Sequence, residues 1–290
     1  MYARAVAVLL VLGAAGCKAS PDDSLQGQHV LRILEDDRFD WVTIEADDIR
    51  IHFPSGSYAE TQRHLLTSRA EDSRREVLTR LLVTEYPDLL HLFYVDGRED
   101  MEKLTGSPVT GFSYFDDHAI VVVFNDNWRA FERHELTHIV TLGSWTRPAG
   151  PAVVEGLATW VDGRCGGYAN GRIARTMLDR GQLIPLESLA GDFRRQDDLI
   201  AYLQAASIVE FLVHRRGPRL VAALWDQGLR ASPELLQVAA DEFKREFEGW
   251  LASTYDPVPL NAWESIRAGG CGIDARVDAR RDAPGPGRSG

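Results

Sequence analysis

His134-Glu135-Leu136-Thr137-His138 constrains this chain more than any other five residues, because the pattern works only on a helix. At about 3.6 residues per turn, positions four apart share one face, so both imidazoles can reach a single metal ion. Glu135 then stands beside them, where its carboxylate can take a proton from an attacking water. The flanking sequence supplies the helix. Ala119 to Phe124 is a short apolar, β-branched run that predicts a buried strand, and Asn125-Asp126-Asn127 favours a turn or a helix N-cap. Trp128 to Leu142 lacks Pro and Gly, predicts a helix of about four turns, and meets a stop signal at Gly143.

Two histidines do not complete a catalytic metal site, which normally takes a third protein ligand and leaves one position for water. Glu155 is the candidate, in Pro151-Ala152-Val153-Val154-Glu155-Gly156-Leu157-Ala158. Pro151 suits a first helical turn. Val154, Leu157, Ala158 and Val161 then form an apolar face with Glu155 at its edge, and Gly156 permits close packing against another element. A carboxylate is the usual partner of two such histidines. The alternative is a carboxylate on an ordinary helix surface. His29, His52, His64, His91 and His118 lack ligand spacing and read as surface or core residues.

The motif followed seventeen residues later by Glu155-Gly156-Leu157-Ala158 resembles the gluzincin metallopeptidases, specifically the bacterial peptidase MA-like group. Weaker agreement comes from Ile49 to Ser57 and from Ala201 to Ser207 with its continuation to Gly217, so the likeness covers residues 45–255. The resemblance implies an α+β, zincin-like fold: a small mixed β-sheet lobe with the active-site helix, a mainly helical C-terminal lobe, and one Zn2+ ion between them. It implies His134, His138 and Glu155 as ligands, Glu135 as general base, and a peptide or protein as substrate. It also suggests a hydrogen-bond donor for the oxyanion formed during hydrolysis. Tyr202 fits that role in order and context, with Tyr168 and His214 as rivals. A core aromatic is the other reading of Tyr202. One departure concerns the acceptor that orients a ligand histidine. Thermolysin-type relatives place an Asp four residues after the glutamate ligand, where this chain has Thr159; Asp162 could serve instead, or face solvent.

Residues 1–16 read as a signal peptide. Arg4 precedes the uncharged stretch Ala5 to Gly16, which is too short to span a bilayer. Leu12-Gly13-Ala14-Ala15-Gly16-Cys17 resembles a bacterial lipobox, which would make Cys17 the lipidated first residue of a protein held to an envelope membrane by acyl chains, facing the periplasm. Cleavage by an ordinary signal peptidase is the alternative. Export leaves Cys165 and Cys271 to pair, although sequence alone does not fix the bond. Residues 17–38 read as a tether, 39–257 as the two-lobed metallopeptidase domain, and 258–290, rich in Gly, Arg, Asp and Pro towards its end, as a tail largely without fixed structure. A net charge of −11 argues against nucleic acid as a partner. The chemistry expected is zinc-dependent peptide hydrolysis at the envelope. The alternative is an envelope lipoprotein that uses the same fold for binding or assembly without catalysis.

Overall fold

A computed structural model describes residues 27–273, so Cys17 and the 1–16 segment lie outside the described residues. These residues form two compact units. One holds the described chain up to Arg75 together with Glu85–Gly143; the other holds Glu76–Thr84 and the described chain from Ser144 onward.

The first unit is built on a five-stranded mixed sheet. In chain order its elements are α1 (Gln28–Leu34), β1 (Trp41–Ala46), β2 (Ile49–Pro54), α2 (Tyr58–Thr61), α3 (Arg63–Leu81), β3 (Leu90–Val95), α4 (Arg98–Thr105), β4 (Gly111–Tyr114), β5 (Ala119–Val123) and α5 (Glu132–Ser144). The strand order is β1-β2-β3-β5-β4. β1 and β2 form an antiparallel hairpin, closed by Asp47 at a φ of 44°. That left-handed conformation is one Asp tolerates and tight hairpin turns need. β2 runs parallel to β3 and β3 parallel to β5, with β4 antiparallel on the outer edge. Strands covered on both faces read as near-continuous apolar runs, and Ala119 to Val123 is buried at every position. On one face Phe93, Val95, Val121 and Val123 pack with Val30 and Ile33 of α1 and Met101 and Leu104 of α4. α1 is fastened by Asp117, whose carboxylate accepts from the backbone N–H groups of Gly27 and His29. On the opposite side Tyr94 reaches Glu132, the first residue of α5.

The second unit is mainly helical: α6 (Pro151–Asp162), the short pair β6 (Arg164–Cys165) and β7 (Tyr168–Ala169), α7 (Asn170–Asp179), α8 (Leu186–Gly191), α9 (Asp198–Arg216), α10 (Leu220–Gln227), α11 (Ser232–Leu236), α12 (Ala240–Thr254) and α13 (Leu260–Gly269). α6 and α9 form its centre. Gly156 lets them approach, since a Cβ there would lie 2.9 Å from Ala205 Cβ and 3.2 Å from its carbonyl carbon. Cys165 and Cys271 are joined in a disulfide, and Gly166 donates its backbone N–H to the Cys271 carbonyl at 3.1 Å.

The α+β expectation therefore holds, with differences of detail. α1 lies within the span read as tether, and α13 within the span read as tail, because Val30 and Ile33, and Ala262, Trp263 and Ile266, bury an apolar stripe. A break at Gln62 separates α2 from α3, and one at Gln237, whose φ is 61°, separates α11 from α12. Among the described residues no helix is long and apolar enough to cross a membrane.

Candidate metal centre

The helix carrying the motif begins at Glu132 rather than Trp128. Asn125 and Trp128 exchange backbone hydrogen bonds, closing a turn that takes Trp128 out of the helix. Glu132 is buried, and its carboxylate accepts from Tyr94 Oη at 3.1 Å and from Arg69 of α3 at 2.9 Å. A buried carboxylate at a helix N-terminus is favoured by the positive end of the helix and by the guanidinium. This arrangement fixes the start of α5 against the sheet and against α3. α5 ends at Ser144, one residue past the stop signal at Gly143. A Cβ at Gly143 would come within 3.3 Å of the Tyr86 hydroxyl, so glycine there also admits that side chain.

One turn into the helix, His134 and His138 point the same way, with their Nε2 atoms 3.2 Å apart. Two nitrogens bound at about 2.0–2.1 Å to one tetrahedral ion stand roughly 3.3 Å apart, so the pair has the spacing a shared ion requires. Glu155 completes the set: one ligand atom from each of His134, His138 and Glu155 lies within 4.8 Å of the others. Glu155 is 4% exposed and His138 6%, which removes the helix-surface alternative for Glu155. α6 is buried along its whole length from Ala152, not on one face. Burying a carboxylate costs free energy that a divalent cation offsets. Donor type, spacing and burial thus fit a metal ion.

Glu135 is 8% exposed and belongs to the same turn. Ser113 of β4 donates to its Oε2 at 2.6 Å. No strand is expected from the sequence over β4. The available signal was a two-residue alternation, Phe112 and Tyr114 against Gly111 and Ser113.

Tyr202 stands on α9, partly buried, with its ring 5.3 Å from that of Phe193. Tyr168 lies under Arg172, and His214 against Trp250. Thr159 is buried and its hydroxyl oxygen has no hydrogen-bond partner among the described residues, so it does not act as the acceptor supplied by Asp in thermolysin-type proteins. Asp162 is buried at the end of α6, which excludes the solvent-facing reading. The remaining histidines serve the fold where their contacts are defined. His29 pairs with Asp117, His52 bonds Thr43 and His91, and His118 meets Tyr86.

Fold and site together define a protein with a His134, His138 and Glu155 triad, spaced as in an HExxH…E motif and able to hold a metal ion. The chain matches no family model and no curated protein.

Proposed function

We propose that this chain is a gluzincin-like zinc metallopeptidase. The observation that carries the reading is the convergence of His134, His138 and Glu155 on one ion-sized site, with Glu135 in the same helical turn. Two imidazoles and one carboxylate form a common donor set of catalytic zinc. Bound zinc supplies Lewis acidity, polarising a carbonyl and lowering the pKa of water towards about 7. The chain's own residues do the rest. His134 and His138 would hold the ion through Nε2, and Glu155 would hold it through its carboxylate. Glu135 accepts a proton from the attacking water and delivers it to the departing amine. Tyr202 is assigned the oxyanion donor's role on the family resemblance alone.

The N-terminal pattern ending at Cys17 supports export and lipid anchoring to a bacterial envelope membrane, and a disulfide accords with an oxidising compartment. The substrate is then an exported peptide or protein.

The test is metal analysis of the purified full chain beside hydrolysis of an unstructured polypeptide, with and without a chelator. One equivalent of zinc and chelator-sensitive cleavage are expected. Glu135→Gln should retain zinc and lose about 10²–10⁴-fold in turnover, whereas Glu155→Ala should lose the metal. A chain that holds zinc yet cleaves nothing would favour the binding role instead, and full zinc occupancy in Glu155→Ala would remove Glu155 from the ligand set.

A further inference from the structure

We propose that β4 positions the general base: Ser113 holds one oxygen of the Glu135 carboxylate, and Gly111 makes room for the other. The inference rests on the hydrolase reading and adds to it two residues outside the motif. β4 is an edge strand, and its pleat sends alternate side chains to opposite faces. Phe112 and Tyr114 pack against the cluster formed with α1 and α4. Ser113 turns the other way, and its hydroxyl lies 2.6 Å from Glu135 Oε2 and 3.2 Å from the Glu135 carbonyl oxygen. A hydroxyl has one proton to give, and the shorter contact falls in the range of charge-assisted O–H···O⁻ bonds.

Gly111 points to the same carboxylate independently. Its φ is not in the left-handed region, so the backbone does not call for glycine. Space does: a Cβ at this position would overlap Glu135 Oε1 and lie 2.9 Å from Cδ. One strand thus fastens Oε2 and accommodates Oε1. A carboxylate that must accept a proton and then release it elsewhere gains from being held in one place, since misplacement of a reacting group lowers turnover without weakening substrate binding.

Two measurements on the full chain test this. With zinc loaded, Ser113→Ala should lower kcat about tenfold while KM stays within twofold and zinc content is unchanged; Ser113→Thr should recover most of the loss, and Gly111→Ala should reproduce it. In chelator-treated protein, Ser113→Ala should lower the folding equilibrium constant about tenfold when Glu135 is present, and less than twofold in a Glu135→Ala background. This second measurement needs neither metal nor turnover. Equal losses in both backgrounds overturn the contact. Unchanged kcat in Ser113→Ala overturns its role in turnover. Absence of any zinc-dependent cleavage by the wild-type chain overturns the hydrolase reading and the positioning role with it, while the metal-free cycle still decides whether Ser113 holds the carboxylate.

Discussion

Gly156→Ala tests how closely the metal ligands depend on one helix contact. The added Cβ would sit 2.9 Å from Ala205 Cβ and 3.2 Å from the Ala205 carbonyl carbon. Carbon atoms in contact prefer about 3.5–4.0 Å, so α6 and α9 must separate locally by about 0.6–1.1 Å. Neither neighbour is the end of a flexible side chain, so no rotamer change relieves the overlap. Overpacking of this kind costs about 1–3 kcal/mol, against which Ala in a helix interior returns about 0.8–1.0 kcal/mol over Gly. The expected net destabilisation is about 0–2 kcal/mol. The larger effect should fall on the metal. Glu155 adjoins the substituted residue, and ligand distances tolerate only about 0.2 Å. A shift several times larger should weaken zinc binding about 10–100-fold, comparable with losing a ligand's outer support. Thermal melting of the chelated protein and zinc competition against a chromophoric chelator would measure the two effects. Ala205→Gly in the same background should restore zinc affinity, since it removes the nearest clashing atom. The reasoning fails if Gly156→Ala becomes more stable by about 1 kcal/mol, as helix propensity alone would give, with zinc affinity unchanged.

Acid should weaken the first unit through His52. Burial, then the neighbouring His91 and Arg50, pulls its pKa down to about 3, and burial lowers that of His91 as well. Between about pH 6.5, the unfolded value, and about 3 the unfolded state binds the extra proton. The contribution of His52 is therefore complete above pH 6.5 and declines as pH falls, by at most about 1.4 kcal/mol per pH unit. Urea midpoints at pH 7 and pH 5 should show the loss, and His52→Leu should flatten the slope; an unaltered slope would acquit His52. Cutting the Cys165–Cys271 crosslink, which spans 106 residues of sequence, should remove roughly 2–5 kcal/mol of stability. Urea denaturation of Cys165→Ser/Cys271→Ser would measure it, and a change below about 0.5 kcal/mol would refute the expectation that closing so long a loop restricts the unfolded chain.

Local pattern carried much of this structure. The motif demanded a helix, Pro151 marked the start of α6 and the β-branched run from Ala119 marked β5. The burial of Glu155 was also present in the sequence, since Ala152, Val153, Val154, Leu157, Ala158, Trp160 and Val161 surround the helix with apolar side chains. What local pattern could not reach was contact across sequence. Nothing near Gly156 names Ala205 as the atom it must admit, and nothing in the four residues of β4 announces that Ser113 will meet Glu135. The start of α5 at Glu132 likewise depends on contacts across sequence. The turn closed by Asn125 and Trp128 and the buried acceptor for Arg69 and Tyr94 decided it, not helix propensity.

The fastening of Glu132 by Arg69 and Tyr94 has a consequence for how this protein would acquire its ion. The position of the histidine-bearing helix is set by a carboxylate outside the candidate ligand set. Small zinc modules fold only when the ion arrives, so their affinity and their folding are one quantity. With α5 held in this way, the two should be separable. An arriving ion would meet imidazoles at the spacing it needs, and most of its binding free energy should go into occupancy rather than into ordering the chain. Stripping and reloading would then be local events within a folded protein, which far-UV circular dichroism of chelator-treated protein would show as unchanged secondary structure.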